Sequence, residues 1–487
     1  MDLFELPAVQ PNKHVEKRLI SDPDLSLLLD SQYEVFKSLN IFMKSGERFM
    51  RVRGKAGVGK TFLISMFIEY YLFNNPHTPV CICAPTNKAV RVSNTMSQYE
   101  NGSISYKTNH SVLGIRMKRE HGKEVFIQSV KPTVNNFKMI GSDEASMLHP
   151  YITELMDGMC ANKVIFIGDP NQLPPVIDDS EKEYWLVKGY PVDISPIWSM
   201  PMNEVTMDTI VRQAQGNPII TLANLCTEKP YVPLPDFNAA SNVIDGKLVG
   251  VFQFNKRSSD DYEMFLELIL NYFLSDNYRQ DFDFCRVVCF TNEEVNRYNK
   301  FIRKHYFKGI EEKIAVGERL IVSDSIKDLE YEPQYTGDEH LLFNVNDELE
   351  VISYTIESLD IGRLRLNYYE AKVIDLNKPY SPPKTINIIH ESSEDILKKT
   401  LNTMAAMANN AKGIQKSRYW EAFYQLKDLF AVVMYGYAST IHKSQGSTIK
   451  YVFYDKTDEH YVKDSSLLRR LQYTAVTRAS SVLMILY

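Results

Sequence analysis

Three short apolar runs in the first half of the chain each end in a polar signature. They are FMRVRG at 49–54, VCICAPT at 80–86 and VIFIGDPNQ at 164–172. The first is followed by TFLISMFIEYYLF, which is apolar around most of its circumference, as a helix packed on a sheet is. Strands that alternate with helices build a parallel, doubly wound sheet. The pattern therefore predicts an α/β domain.

A second α/β region begins near residue 284, where FCRVVCF is followed by an amphipathic helix. It resumes at AVVMYGYASTIHKSQG, residues 431–446. Between the two parts, residues 343–374 form short alternating runs separated by turn residues, which predicts a small inserted β-barrel. The polar segment 409–430 predicts a helix or arm that projects before the chain re-enters the sheet.

Composition and length exclude several classes of protein. A chain of 487 residues suits roughly two to four domains. It has no apolar run of about 18 residues and no signal-type apolar core at its N-terminus. We therefore expect a cytoplasmic protein without a membrane partner, in the host cytoplasm if it is phage-encoded. The six cysteines form no CxxC pair, which favours buried, reduced thiols over a zinc site.

The net charge of −6 argues weakly against bulk attraction to nucleic acid, but a local basic face can still bind it. Between Lys107 and Lys138, seven basic residues stand against two acidic ones. Within this region, GIRMKREHGKEVFIQ at 114–128 has the form of a β-hairpin whose turn is His121-Gly122. A basic hairpin is thus one candidate surface for nucleic acid.

The segment VRGKAGVGKT, residues 52–61, has a spacing of glycines, lysine and threonine that is suited to binding the phosphates of a nucleoside triphosphate. Its glycines let successive backbone N–H groups and a helix N-terminus point at the β-phosphate. The lysine neutralises developing charge, and the threonine hydroxyl can ligate Mg²⁺. A strand before the loop and a helix after it supply the required context. The predicted nucleotide-binding residues of this loop are Gly54, Gly57, Gly59, Lys60 and Thr61.

Hydrolysis requires one carboxylate to hold Mg²⁺ and a second to orient the attacking water. Asp143 and Glu144 follow a moderately apolar run, in the order that a P-loop ATPase uses, although such a pair is otherwise a solvated loop end. Gln172 in GDPNQLPPV can contact the γ-phosphate or the attacking water, unless it belongs to a proline-rich surface turn. Gln32 opens a helix before the first strand, where an amide can read the adenine edge; a lone glutamine is otherwise a surface residue.

Ten motifs now follow one another along the chain. They are DSQYEVF, GKAGVGKT, APTNKAV, TNHSVLGI, DEAS, GDPNQLPPV, TIVRQ, FTN, YASTIHKSQGST and YTAVTRAS. From about residue 25 to 487 the set resembles that of superfamily 1B helicases, and it is most similar to the Dda-like and RecD-like DNA helicases. Superfamily 1A members carry large insertions, whereas the space between His110 and Phe137 admits little more than a hairpin.

The resemblance implies two RecA-like P-loop domains, parallel sheets flanked by helices, with ATP bound in the cleft between them. Domain 1A is expected at 1–107 and 129–225, with a hairpin or pin subdomain, 1B, at 108–128. Domain 2A is expected at 226–310 and 431–487, with the inserted β-barrel and arm, 2B, at 311–430.

By resemblance, Arg212 in TIVRQ and Arg478 in YTAVTRAS reach the γ-phosphate, although a single arginine is ordinarily a solvated or salt-bridged charge. Gln445 and Gly446 would line the same cleft. Single-stranded DNA would lie across both domains, held by phosphate contacts and base stacking. The residues assigned to it are Thr86, Asn87, Lys88, His110, Thr291, Asn292, Thr440, His442 and Lys443. For the histidines, a hydrogen-bonding place in a turn remains the alternative.

Phe126 stands at the position of the hairpin aromatic in Dda-like proteins. We expect it to stack on the last base pair or first unpaired base, or else to fix the hairpin to its parent domain. In Dda-like enzymes a projecting arm braces this pin, and Trp420 and Phe423 are candidates for that contact.

The resemblance thus implies an ATP-dependent DNA helicase that uses ATP and Mg²⁺, translocates 5′ to 3′ on single-stranded DNA and unwinds duplexes. The implied catalytic residues are Lys60, Glu144, Gln172, Arg212 and Arg478, and the metal ligands are Thr61 and Asp143. We expect a monomer whose partners are single-stranded DNA, junctions with duplex DNA, and single-stranded-DNA-binding or replication proteins. A viral-type RNA helicase and a remodelling ATPase that does not unwind duplexes remain alternatives.

Overall fold

A computed structural model of the chain separates into two compact units. The first consists of Met1–Arg116, Gln128–Tyr298 and Ala438–Tyr487, and the second of Met117–Ile127 and Asn299–Tyr437. The residues that the structure describes are 22–96, 102–120, 123–128, 130–208, 216–227, 240–244, 247–328, 341–362, 364–376, 378 and 381–487.

The first sheet of the first unit confirms the three apolar runs as strands. Its strands are β1 (Phe49–Gly54), β2 (Val80–Ala84), β3 (Ile104–Thr108), β6 (Met139–Ser142), β7 (Lys163–Gly168) and β8 (Asn203–Met207). They are all parallel and lie in the order β3-β2-β6-β7-β1-β8. Met50 and Val52 pack in one apolar layer and Phe49 in the other, because successive side chains of a strand face opposite sides.

The strand before the acidic pair is buried throughout, although its sequence ends in Gly141-Ser142. Ser142 is tolerated there because its hydroxyl donates to Oδ1 of Asn109, 3.2 Å away. The predicted strand is therefore confirmed, with its polar end satisfied by a hydrogen bond.

The second sheet of this unit also belongs to an α/β arrangement, and it lies within the expected bounds of domain 2A, with two strands before the apolar run at residue 284. Its strands are β9 (Ala240–Ile244), β10 (Lys247–Phe254), β11 (Cys285–Cys289), β19 (Ala438–Thr440), β20 (Ile449–Asp455) and β21 (Ala479–Leu486). The order is β19-β11-β20-β21-β10-β9, and only the β9–β10 pair is antiparallel. The two strands before residue 284 were missed by the sequence reasoning.

Helices flank both sheets. They are α1 (Asp30–Lys44), α2 (Lys60–Asn74), α3 (Asn87–Met96), α4 (Asn109–Val112), α5 (Pro150–Met159), α6 (Asp179–Val187), α7 (Pro218–Leu225), α8 (Ser259–Phe273), α9 (Asp276–Gln280), α10 (Asn292–Tyr306) and α13 (Ser465–Val476). Short 3₁₀ turns lie at Leu25–Leu27, Val134–Asn136, Ala145–Met147, Pro196–Trp198 and Glu459–Tyr461. The fold is thus α/β with two largely parallel sheets, as predicted.

The second unit contains the antiparallel sheet expected between the two parts of the second α/β region. Its strands, with a small accessory pair, are β12 (Arg319–Val322), β13 (Ile326–Lys327), β14 (Leu341–Phe343), β15 (Glu348–Ile361), β16 (Leu364–Asp375), β17 (Lys384–Ile389) and β18 (Val433–Tyr435). The main order is β17-β16-β15-β12-β18. The N–H of Ala431 donates to the carbonyl of Asn387 at 2.6 Å, so the sheet curls until its two edges approach each other.

A two-helix arm follows the antiparallel sheet. It consists of α11 (Glu391–Asn410) and α12 (Gly413–Asp428). The second helix accounts for the polar segment predicted as a helix or arm, whereas the first was not predicted. An apolar cluster that includes Leu366, Leu397 and Phe430 fastens the arm to β16.

The hairpin predicted at 114–128 contains β4 (Ile115–Glu120) and β5 (Lys123–Gln128), which pair as a two-stranded sheet. Its proposed turn, His121-Gly122, lies outside the described residues.

All six cysteines are free and buried, as predicted, and burial raises the pKa of the Cys81 and Cys160 thiols to about 12. Within the described ranges, no group of three or more His, Cys, Asp or Glu residues could hold a metal ion. The helices that the structure describes include none with the length and apolar character needed to cross a bilayer.

Candidate nucleotide and nucleic-acid site

The glycine loop joins β1 to α2 and is shaped to surround an anion. Gly57 and Gly59 have φ of 81° and 78°, in the left-handed region that favours glycine. A Cβ on Gly54 would lie 2.8 Å from Cγ2 of Val58, so the loop has no space for a side chain there. Lys60 begins α2, and its ammonium donates to the carbonyls of Gly54 and Lys55 at 2.8 and 2.9 Å. Loop amides, a helix N-terminus and a lysine therefore converge, and Thr61 follows on the first turn.

Gln32 is 3% exposed and braces this loop from α1. Its Nε2 donates to the carbonyl of Val58 at 3.1 Å, and its Oε1 accepts from the N–H of Leu29 at 3.1 Å. The sequence reasoning assigned this amide to adenine, and that role stays a prediction. The structure gives the residue a further task, which is to hold the glycine loop against the start of α1.

The acidic pair lies directly beyond β6. Oδ1 of Asp143 accepts from the N–H of Glu144 at 2.8 Å, and Oδ2 accepts from the hydroxyl of Ser93 at 3.5 Å. Glu144 has a φ of 51°, which a non-glycine residue seldom adopts and which is concentrated at functional sites. The backbone thus turns sharply at Glu144, so the two carboxyls belong to a constrained site and not to a solvated loop end.

Burial dominates the electrostatics of the pair. It raises the pKa of Asp143, which the nearby Lys60 opposes. Burial, followed by repulsion from Asp143, raises the pKa of Glu144 to about 6, while Arg478 and Lys60 oppose the shift. A carboxyl whose pKa lies near the working pH is suited to exchange protons with water.

The loop that follows β7 brings Gln172 into the same place. Asp169 is fully buried, and its Oδ1 accepts from the N–H of Asn171 at 3.0 Å. Gln172 is 6% exposed, and its Oε1 is buried without a hydrogen-bond partner. An unpartnered buried acceptor costs free energy, which a hydrogen bond from a bound ligand or water would recover. This atom and the crowded glycine loop both fit a bound nucleoside triphosphate.

Residues of the second sheet meet these loops. Arg478 follows α13 and is 5% exposed; its Nε donates to the carbonyl of Thr474 and a terminal nitrogen donates to that of Ser447, both at 3.0 Å. Burial lowers the pKa of Arg478, and Glu144 opposes that effect. Arg478 and Glu144 thus each influence the other's pKa, and the contact of Arg478 with the γ-phosphate stays a prediction.

Gln445 and Gly446 also lie where the two sheets approach each other. Nε2 of Gln445 donates to the carbonyl of Leu173 at 3.2 Å. Gly446 has a φ of 76°, and a Cβ on it would lie 3.4 Å from Cβ of Ala89. Arg212, the second predicted arginine, lies outside the described residues.

Two residues at this junction were missed by the sequence reasoning. Tyr473 contacts both the glycine loop and Asp169 through its hydroxyl. Arg470 donates to the carbonyls of Pro170 and Gln172. Tyr473 opens the motif YTAVTRAS and Arg470 precedes it on the same helix, but a tyrosine or arginine in such a helix is ordinarily structural.

The residues assigned to DNA on the first sheet stand at the starts of short helices. Thr86 accepts from the N–H of Ala89 at 3.2 Å, and Asn87 begins α3. Lys88 is 8% exposed and pairs with Asp283 at 3.7 Å. His110 lies in α4, and burial lowers its pKa, so its imidazole is neutral near pH 7.

The corresponding residues of the second sheet are largely occupied by contacts within the protein. The hydroxyl of Thr291 donates to Oδ2 of Asp458 at 2.7 Å, and that of Thr440 accepts from the N–H of Lys443 at 3.3 Å. Burial lowers the pKa of His442. Asn292 and Lys443 are exposed. The DNA roles of all nine residues stay predictions.

Phe126 is 56% exposed on β5, and it belongs to the second unit together with the arm. On α12, Trp420 packs edge-on against Phe423 with ring centroids 5.3 Å apart, and Tyr424 joins the cluster. The exposed ring fits the predicted pin aromatic, and the cluster supplies aromatic surface on the arm.

Comparison with known proteins relates most of the chain to helicases. A family model described as an AAA domain matches residues 38–178, and a UvrD-like helicase C-terminal domain model matches 435–486. The ATP-dependent DNA helicase dda of Enterobacteria phage T4 is 25% identical over 463 residues, which cover 93% of this chain and 97% of that protein. An uncharacterized protein of Acanthamoeba polyphaga mimivirus is 23% identical over 502 residues, covering 91% and 96%.

Two solved structures are similar at lower identity. Bacteroides Pif1 bound to single-stranded DNA has a TM-score of 0.48 and 14% identity, covering 94% of this chain and 92% of that chain. The Pif1 helicase of Candida albicans has a TM-score of 0.46 and 14% identity, covering 94% of each chain.

Proposed function

We propose that this chain, which belongs to the superfamily 1B helicases and is of the Dda-like kind, is an ATP-dependent DNA helicase that translocates 5′ to 3′ on single-stranded DNA and unwinds duplexes. One observation carries the proposal. The helix that precedes Arg478 contacts the glycine loop of the first sheet, where the N–H of Ala56 donates to the Tyr473 hydroxyl at 3.0 Å, and Arg478 and Glu144 shift each other's pKa, so a triphosphate held by that loop would contact both sheets. An ATPase whose site requires two such parts can couple their closure to hydrolysis.

Each part of the site takes a chemical role in this proposal. Lys60 neutralises phosphate charge, Glu144 accepts a proton from the attacking water, and the free Oε1 of Gln172 orients that water. Arg478 stabilises the charge that develops on the γ-phosphate, and Arg212 is the second such arginine. Gln32, Gln445 and Gly446 complete the nucleotide pocket.

Mg²⁺ is the metal that this donor set fits. Thr61 and Asp143 would hold it, and when bound it supplies positive charge to the β- and γ-phosphate oxygens. A site with two protein oxygens suits Mg²⁺, which usually keeps several waters and is completed by phosphates.

We assign the two parallel sheets to RecA-like domains 1A and 2A, with the pin subdomain 1B and the inserted 2B within the boundaries predicted from the sequence. Single-stranded DNA would run along Thr86, Lys88 and His110 on one domain and Thr291 and Lys443 on the other. Phosphate contacts and stacked bases would hold the strand.

The test is strand separation of matched DNA and RNA duplexes that carry either a 5′ or a 3′ single-stranded tail. We expect ATP-dependent separation of the 5′-tailed DNA duplex only, and none by the Lys60→Ala control. Separation of the 3′-tailed DNA would overturn the polarity. Separation of RNA would favour the RNA helicase, and ATP turnover without separation would favour the remodelling ATPase.

Phe126→Ala should slow duplex separation roughly 5- to 150-fold, because stacking of a base on an aromatic ring is worth about 1 to 3 kcal/mol. ATP turnover stimulated by single-stranded DNA should change less than twofold, roughly within the scatter of a surface substitution. Both rates are measured on the same preparation. Phe73→Ala, which removes a 45% exposed phenylalanine on α2, should leave both rates unchanged. Equal losses of duplex separation and ATP turnover in Phe126→Ala would show that Phe126 has a structural role.

A further inference from the structure

Tyr473 is a fully buried tyrosine on α13, five positions before Arg478. Its ring belongs to the apolar cluster of the second sheet, which also includes Leu173 and is contacted by Ala56 of the glycine loop. The ring is therefore held in place by packing, and its hydroxyl can be considered separately.

The hydroxyl makes two hydrogen bonds, each to a different loop of the first sheet. It accepts from the backbone N–H of Ala56 at 3.0 Å, and it donates to Oδ2 of Asp169. Burial, and then the Asp169 carboxylate, raise the pKa of Tyr473 well above its ordinary value. The hydroxyl therefore keeps its proton, which fixes the direction of both bonds.

Asp169 transmits this contact to the loop that carries Gln172. The carbonyl of Asp169 accepts from the N–H of Gln172 at 3.1 Å, and its Oδ1 accepts from the N–H of Asn171 at 3.0 Å. One tyrosine oxygen thus connects the glycine loop to the 169–173 loop, whose Gln172 Oε1 has no partner. A misplacement of a reacting group by about 1 Å can lower the rate roughly 100-fold, so a contact that positions this loop can affect the reaction.

We propose that the Tyr473 hydroxyl is a positioning group for ATP hydrolysis, which fixes the 169–173 loop against the glycine loop so that Gln172 faces the γ-phosphate. The inference rests on the proposed ATP-driven activity, since it assigns a residue to the same site. Because the hydroxyl comes from α13, it also makes the geometry of the first-sheet loops depend on the position of the second sheet.

Tyr473→Phe removes the hydroxyl and keeps the ring. We expect kcat for ATP in the presence of single-stranded DNA to fall about 10- to 100-fold, the usual effect of misplacing a reacting group. The KM for ATP should stay within about twofold, since Lys60 and the loop glycines still hold the phosphates. A rise in KM with kcat unchanged would overturn the proposal.

Tyr298→Phe is the matched control. Tyr298 is also buried, and its hydroxyl donates to the buried carboxylate of Asp455 at 2.8 Å, but it contacts neither loop of the site. The two variants should lose similar thermal stability, whereas only Tyr473→Phe should lose kcat. Equal losses of kcat would reduce Tyr473 to a structural residue.

Amide exchange in the nucleotide-free protein tests the contact without relying on activity. The N–H of Ala56 should exchange about 2- to 10-fold faster in Tyr473→Phe, as expected for the loss of one hydrogen bond, and at the normal rate in Tyr298→Phe. Unchanged exchange would overturn the proposal. If wild-type protein failed to hydrolyse ATP, the proposed function would fail, whereas this measurement would still judge the Tyr473 contact.

A double-mutant cycle with Asp169→Asn tests the route of the effect. If the hydroxyl acts through Asp169, the double variant should have the kcat of the slower single variant, since both changes break the same connection. Multiplied effects would show that the two residues act independently and would contradict the proposed route.

Discussion

Glu144→Gln should bind ATP and DNA but turn ATP over on the order of 10³-fold more slowly, within the 10²–10⁴-fold range of a general base. The amide keeps the size of the side chain and cannot accept a proton from water. Glu144 is placed for that task by its turn at φ 51° beside Asp143 and by its proximity to Lys60 and Arg478. Nucleotide binding, measured by a fluorescent ATP analogue, should change little, because Lys60 and the loop amides remain.

The same carboxyl sets an acid limit to the wild-type rate. Burial and Asp143 raise the pKa of Glu144 to about 6, and only its ionised form can act as a base. The rate should therefore fall about tenfold for each pH unit below roughly 6, and it should be flat above. In Glu144→Gln the residual rate should show no such fall at acid pH, which we call the acid limb of the pH profile. A pH-dependent residual rate would mean that another group is titrating.

Glu459→Gln is the control for these experiments. Burial raises the pKa of Glu459 to about 8, so its neutral form, which glutamine imitates, prevails near pH 7. It lies in the second sheet's core, bonded to Gln472 at 2.7 Å. This variant should retain the wild-type rate and acid limb. If it lost as much rate as Glu144→Gln, the loss would reflect buried carboxyls in general and not a general base.

The elements that could be predicted from sequence are those whose local pattern and tertiary role agree. The runs that became β1, β2 and β7 are apolar because helices cover both faces of a parallel sheet. Their polar ends lie near one another because ligands of such sheets bind outside the carboxyl ends of the strands. The helix α11 could not be predicted in this way. Its apolar side chains, such as Leu397 and Met404, pack on the arm's small cluster and not on either large sheet, so no neighbouring strand pattern indicates the helix.

The residues of the site also fall into those that the local sequence could predict and those that it could not. The positions of Asp143 and Glu144 could be predicted because the pair directly follows a strand, and that of Lys60 because it has a fixed place in the glycine loop between a strand and a helix. The task of Gln32 depends on Val58, the partner of Thr291 is Asp458, and Tyr473 reaches Ala56 across most of the chain. Such pairings exist only after folding, and no local spacing encodes them. A tyrosine on the buried face of a helix is therefore interpreted as a core residue until the partners of its hydroxyl are known.

Arg478→Lys should lower the DNA-stimulated rate by about 10³-fold, the lower end of the effect of an arginine that stabilises phosphoryl transfer. The guanidinium bonds the carbonyls of Thr474 and Ser447 and the hydroxyl of Thr477 with its three nitrogens. A lysine has one nitrogen and cannot keep these contacts while facing the phosphate. Arg303→Lys, which disrupts a partly buried arginine of the second unit bonded to Glu318 at 2.9 Å, is the control and should keep the wild-type rate.

The charge and the shape of Arg478 can be separated by comparing two variants. Arg478 lowers the pKa of Glu144 against the effect of burial, so its positive charge widens the pH range in which the base is ionised. Arg478→Lys keeps that charge, and the acid limb should stay near pH 6. Arg478→Gln removes it, and the limb should move to higher pH because the carboxylate loses a stabilising neighbour. If both variants kept the wild-type limb, Arg478 would not act on Glu144; if Arg478→Lys kept the wild-type rate, a cation alone would be sufficient at this site.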